Sequence, residues 1–384
     1  MKANRHLLLS AALGAGVLLA AGCRKSQDSD KPKDAPVSGK PSDPPAELKA
    51  EWKPGYRFVM HMEMNQNSQW QFGPRPTTQD TSMSTDYALS VTNAPDGHRG
   101  MELEIQSLAL DVSFGENTII RYDSLNKVAP SEGPGVDALD KLIGGRIRYL
   151  VAPNNEIVQV DGVKELVDRV EGTGGGAGAG GPGGGRRGAR GLGMMGGALR
   201  GIYNAEYFKQ LVDLSGLPKE AVRVGDHWTM DKEISAAAVG TILLRTTNTL
   251  AGWQEREGRK CARIEFTGTM STKPGAAGAT GPAAAPWGGG MKLEDGKVNG
   301  TSWFAPEIGM VIESASEQSY NVSGTRPAMG GRRGTNAPPQ ATNAPPEKFT
   351  SPVKQTVSVK LVEVSSLDQP SKSAAAPEGQ AEKK

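Results

Sequence analysis

Thioether, imidazole and carboxylate stand together in "MHMEM", where Met60, Met62 and Met64 alternate with His61 and Glu63. Thioether sulfur suits soft Cu(I). On a strand, however, residues two apart share a face at roughly 6.8 Å intervals while His61 turns to the other face. An apolar core face therefore accounts for the three methionines without a metal. Asp226-His227, beside Trp228, could join Ser124 or Ser215 as acid, base and nucleophile. Neither an H-E-x-x-H pair nor a G-x-S-x-G elbow accompanies them, so no enzyme, metal or cofactor site is expected. Asp123-Ser124 reads instead as a strand end closed by side chain to backbone hydrogen bonds. Gly176, Gly178 and Gly181 spell G-x-G-x-x-G, but no strand precedes them and more glycine follows, which is no phosphate cradle. Two arginine pairs, Arg186 with Arg187 and Arg332 with Arg333, lie in glycine-rich stretches. Their guanidinium forks are candidate contacts for anions; they would equally serve as solvating charges.

The remaining chemically distinctive residue is Cys23. Lys2 and Arg5 give a short positive start, and Leu7 to Leu19 an apolar run shorter than the roughly 20 residues a spanning helix needs. The run ends in Ala20-Ala21-Gly22-Cys23 and the chain then turns polar. This resembles the lipobox of bacterial lipoproteins, with Leu19 one place further out than the usual leucine. The resemblance implies that residues 1–22 are removed and that Cys23 carries lipid, which would anchor the protein without a transmembrane helix. Arg24 stands where lipoproteins kept at the inner membrane typically carry Asp, so the same resemblance implies the outer membrane, facing the periplasm. The other cysteine, Cys261, is then without a disulfide partner and is expected in the core. The formal charge of +2, less Lys2 and Arg5, leaves a mature chain near zero. No basic field points to nucleic acid.

From Cys23 to residue 50 the chain is rich in Pro, Lys, Asp and Ser, too polar to offset the entropy of ordering. It reads as a tether reaching about 30 Å. Low-complexity stretches follow at 172–202, 273–290 and 323–350, with a tail at 367–384, and they hold most of the 50 glycines and 26 prolines. Between them lie two parts, 51–171 and 203–366, in which three signals recur in the same order. "KPGYRF", "DGHRGMELEIQ" and "VAPNNEIV" in the first correspond to "RVGDHW", "EGRKCARIEF" and "FAPEIGMV" in the second. Gly97 aligns with Gly258, Leu103 with Ile264, Ile105 with Phe266, Pro153 with Pro306 and Val158 with Val311, as in a duplicated unit.

Alternation over Phe58 to Asn65, Met101 to Ile105 and Arg263 to Phe266 predicts half-buried antiparallel strands. "NAPDGHRG" and "REGRK" supply hairpin turns. Helical spacing is confined to Val136 to Ile143, Val163 to Val170, and Tyr207 to Leu214 after Asn204. Trp228 and Trp303 are expected in the core. These elements predict an α+β fold, mostly antiparallel β, of two related strand-rich halves with helices clustered between them. The segments "IIRYDSLN", "LPKEAVRVGDHWTM" and "GTSWFAPEIGMV" are similar to those of a bacterial lipoprotein family known only as a domain of unknown function. That resemblance would cover about 52–364 and implies location and architecture, with no catalytic or binding residue to transfer.

The expectation is thus a membrane-anchored, periplasm-facing lipoprotein that binds or scaffolds another envelope component, whether protein, glycan or lipid. The alternatives are a carrier enclosing a lipid or other apolar ligand and, last, an enzyme. Mass spectrometry of the mature N-terminal peptide should find Cys23 acylated. An unmodified Cys23, or cleavage elsewhere, would overturn the anchor.

Overall fold

The computed structural model describes residues 37–71, 76–126, 136–171, 204–214, 216–236, 239–275, 291–326 and 347–367. Twelve strands form one antiparallel sheet. They are β1 Tyr56–Gln71, β2 Pro76–Asn93, β3 Arg99–Phe114, β4 Asn117–Asp123, β5 Arg146–Val151, β6 Ile157–Asp161, β7 His227–Ala236, β8 Gly240–Arg256, β9 Arg259–Thr272, β10 Lys292–Ala305, β11 Met310–Arg326 and β12 Glu347–Ser366. Their order is β6-β5-β3-β2-β1-β12-β11-β10-β9-β8-β7, with β4 pairing β3 beside β5. Among the described residues three short helices accompany the sheet: α1 Val136–Asp140, α2 Val163–Glu171 and α3 Ala205–Val212.

The α+β expectation is corrected by this sheet. Strand makes up 66% of the structure and helix 10%, and the fold is an open, barrel-like antiparallel sheet. The physical reason lies in how the apolar face is covered. Helices of five to nine residues are too short to shield strands of 14 to 20 residues. The sheet instead curls on itself: Met62 of β1 and Leu244 of β8 line the same cavity although four strands stand between them in the sheet. Strands distant in the sheet thus face one interior, as in a barrel that closes only in part.

The two parts of the chain are not separate bodies. Each supplies a five-stranded meander to the one sheet, β6-β5-β3-β2-β1 and β11-β10-β9-β8-β7, and β12 lies between them. The recurring signals occupy equivalent places. Gly55 donates its N–H to the Val91 carbonyl at 2.8 Å as β1 begins, and Gly225 does so to the Leu250 carbonyl at 2.8 Å as β7 begins. The β2–β3 turn carries Asp96 and Gly97 at φ 58° and 73°, and the β8–β9 turn carries Glu257 and Gly258 at 51° and 70°. In the β8–β9 loop, positive φ at both central residues is what a two-residue hairpin of matching twist requires. The ladder slips between Leu150 and Val151 before one Ala-Pro turn, and between Trp303 and Phe304 before the other.

The main core gathers Phe58, Met60 and Met62 with Leu103, Ile147 and Phe208. A second cluster at the far ends of β7 to β12 includes Ile234, Ile242, Met270 and Leu293. A third, with Leu48, Val222 and Leu250, is reached by the 37–52 segment through bridges Ser38↔Trp253 and Ala46↔Val222. On the outer face, Arg146 meets Glu102 and Glu104 at 3.2 Å and Arg148 meets Glu102 at 3.2 Å. Such exposed pairs each contribute about 0–1 kcal/mol and serve mainly to hold register. β11 extends to Arg326 and β12 starts at Glu347, so both margins of the 323–350 stretch are strand. Trp303 is buried, as expected, whereas Trp228 on the terminal strand β7 is only half-buried.

Where β8 pairs with β9 at Thr246↔Gly268, the two backbones approach closely. An ideal Cβ on Gly268 would lie 2.2 Å from the Arg245 carbonyl oxygen and 2.9 Å from Thr246 Cγ2. Gly268→Ala should therefore destabilise the fold by about 1–3 kcal/mol through overpacking. Urea unfolding checks this; an unchanged midpoint would contradict the close approach.

Candidate functional site

Met60, Met62 and Met64 are buried on the inner face, and His61 is half-exposed on the outer. Strand alternation thus separates the imidazole from the thioethers. His61 Nδ1 lies 2.6 Å from Asp86 Oδ1, and its Nε2 is 3.4 Å from Glu63 Oε1. Ser107 Oγ donates to Asp86 Oδ2 at 2.5 Å. Serine, aspartate and histidine are together, but the carboxylate sits in the middle. The imidazole cannot take the Ser107 proton, so this is no nucleophile–base relay. Asp86 lies 25 residues from His61, and only the β1–β2 register, His61↔Asp86, joins them.

The Asp226-His227 set does not assemble either. Asp226 Oδ2 accepts from the Arg223 N–H in a tight turn, and His227 Nδ1 contacts Thr249 Oγ1 at 2.7 Å. Ser124 Oγ accepts from the Leu108 N–H, while Asp123 Oδ1 accepts from the N–H groups of Leu125 and Asn126. That pair closes the end of β4, and Ser215 lies outside the described residues. Cys261 is fully buried and unpaired among the described residues, and burial pushes its thiol up to about 11. Such a thiol is inert at neutral pH. Cys23, Arg186, Arg187, Arg332 and Arg333 all lie outside the described residues.

What the structure adds is an interior site. A cavity of about 210 Å³ lies inside the curled sheet. Met60, Met62 and Leu89 of β1 and β2 line one side, and Leu244, Ile264 and Phe266 of β8 and β9 the other. Gln210 and Leu211 of α3, with Asp213, Leu214, Gly216 and Leu217 after it, form a further wall. Asn204 caps this helix by accepting from the Tyr207 N–H at 2.9 Å. α3 stands where the sheet fails to close, touching both terminal strands, β6 and β7. Tyr149 Oη donates to the Phe208 carbonyl at 3.1 Å, and Trp228 Nε1 donates to the Gly216 carbonyl at 3.1 Å. On the β7 side Lys232 Nζ meets Asp213 Oδ2 at 2.6 Å.

A polar belt crosses the same inner face. Gln66, Gln355 and Gln318 are side by side on β1, β12 and β11, and all are buried. Tyr320 Oη donates to Gln355 Oε1 at 3.2 Å. The Oε1 atoms of Gln66, Gln79 and Gln318 have no hydrogen-bond partner among the described residues. Buried acceptors of this kind are normally met by ordered water or by a ligand's donor. On the outer face a polar groove of about 670 Å³ runs across Asn65, Asn67, Asp80, Glu317 and Lys354.

Sequence reasoning missed the cavity, because its walls are strands far apart in the chain. The one signal available was Lys232, which falls on the same alternating face as Met230 and Ile234 in "MDKEI".

No family model matches the chain, and no curated protein matches it. Among solved structures, two show a low likeness. One is lipovitellin, in a study of its lipid–protein interactions, at 11% identity and TM-score 0.42, covering 84% of this chain and 27% of that one. Another is an outer membrane channel from Pseudomonas putida F1, at 9% identity and TM-score 0.15, covering 83% of this chain and 100% of that one. The chain thus spans about a quarter of lipovitellin, and at such scores neither likeness bears on function.

The His61 contacts generate a test. Burial lowers its pKa, but hydrogen bonds to Asp86 and Glu63 and their charges outweigh this and raise it above the usual 6.5. A raised folded-state pKa adds stability that is complete below the unfolded value and is lost as pH rises through the folded one. The stability difference between the wild type and His61→Gln should therefore be full in mildly acidic solution and shrink as pH rises through 6.5 and above it. A constant difference in urea midpoint across that range would contradict the Asp86 contact.

Proposed function

We propose that the protein binds an apolar ligand inside the curled sheet and so acts as a carrier or receptor for a lipid-like molecule, held at the envelope by Cys23. The observation that supports this is the interior cavity. Where apolar side chains of distant strands face one interior, native packing leaves little unfilled space, since cores pack to crystal-like density. Here about 210 Å³ is left among methionine, leucine, isoleucine and phenylalanine side chains. Apolar cavities of about 150 Å³ already take up benzene-sized molecules. Methionine suits such a wall because its unbranched side chain adapts to different occupants.

The binding and scaffolding reading rests on the outer groove, where amide, carboxylate and ammonium groups face outward. It is second because nothing in that groove selects one partner. Protein purified from its own host and extracted with solvent should release a stoichiometric apolar molecule, seen as added mass in native mass spectrometry. Leu244→Trp, which places an indole in the cavity, should reduce occupancy at least severalfold while the protein stays folded. A wild-type protein that is bare after gentle purification, and that takes up no alkane or fatty alcohol, would overturn the carrier reading.

A further inference from the structure

We infer, resting on the carrier reading, that the ligand is an anionic amphiphile of the fatty-acid type, whose head group is received by Lys232. Among the described residues that line the cavity, Lys232 and Asp213 are the two with charge. Every other lining group is apolar or a neutral polar group such as Thr246 and Asn248 on the neighbouring strand β8. The ammonium of Lys232 and the carboxylate of Asp213 are 2.6 Å apart, with side chains only 20% and 25% exposed.

A largely buried ion pair is costly to desolvate and is often no better for stability than apolar residues of the same shape. Placing one in the wall of an apolar cavity therefore calls for a reason other than stability. A lysine ammonium has three donors, and Asp213 is its one ion-pair partner among the described residues. Two donors remain for a ligand carboxylate entering with its chain among Met62, Leu244 and Phe266. Thr246 stands opposite Met230, two residues before Lys232 on β7, and so faces the same interior. Its hydroxyl accepts from Asn248 Nδ2 at 3.4 Å and keeps its own proton to donate. A carboxylate there would be met by a charge-assisted and a neutral hydrogen bond in a site of low dielectric constant. Asp213 disfavours a second anion, but it also holds Lys232 in place. The net preference is carried by the ammonium, which can bridge both carboxylates.

The test compares two ligands with one chain and different heads. The mature chain carrying Cys23→Ser, free of acylation, is titrated calorimetrically with decanoate and with decanol at neutral pH. The wild-type site should bind decanoate about tenfold or more tightly than decanol, as a charge-assisted hydrogen bond in a desolvated site implies. Lys232→Met should remove that preference while leaving decanol affinity within about twofold, because the alkyl contacts are untouched. Thermal unfolding of the variant shows whether the fold is kept, and Lys232→Arg, which keeps the charge, should retain a preference for decanoate. Equal binding of the two ligands by the wild type would overturn the assignment of Lys232 and leave the carrier reading standing. A loss of both ligands to the same degree in a folded Lys232→Met protein would overturn it too, making the pair a strut for α3. Binding of neither ligand to the wild type would sink the carrier reading itself.

Discussion

Every feature of this molecule depends on how one long antiparallel sheet hides its apolar face. Twelve strands, many of 14 to 20 residues, expose far more apolar surface than the three short helices among the described residues can cover. At about 25 cal/mol per Å², leaving that face in water would outweigh any gain from strand pairing. Curling lessens this, since the β1–β2 wall and the β7–β9 wall then face one interior. It also creates the two consequences that matter for function: space between walls that do not quite meet, and a seam where β6 and β7 fail to pair. α3 occupies that seam, fixed by Tyr149 on one side and by Lys232 and Trp228 on the other.

The repeat of five strand positions along the sheet explains how so large a surface is specified by modest local signals. Each meander begins at a glycine of positive φ, turns at an acidic residue followed by glycine, and slips register before an Ala-Pro turn. These devices fix which face of each strand looks inward, because a slip of one residue would invert the pattern. β12, coming last in the chain, then inserts between the two meanders and pairs with β1 and β11. The sheet is complete only when the C-terminal strand has joined it.

Local features were legible in the sequence for this reason. The alternation around Met60 to Met64, the turn residues Asp96-Gly97 and Glu257-Gly258, and the Asn204 cap each depend on neighbours within a few positions. The curl was not legible. Whether apolar strand faces are met by helices or by each other depends on strand pairs such as β12 with β1, whose partners lie some 300 residues apart. The candidate site failed to show for the same reason. Lys232 sits in a pattern that suits a solvated strand position as well as a cavity wall, and Asp213 ends a helix that nothing local ties to β7. His61 with Asp86 and Ser107 is the converse case, since residue types that suggest catalysis prove to stand in an order that cannot perform it.

The partly open, mostly apolar cavity inside the curled sheet should admit small apolar molecules. Crystals of the protein pressurised with xenon test this most directly, because xenon enters apolar cavities without requiring any particular ligand chemistry. The account predicts xenon density between Met62, Leu244 and Phe266, beside the segment that follows α3. Crystals in which those side chains meet and exclude xenon would contradict it.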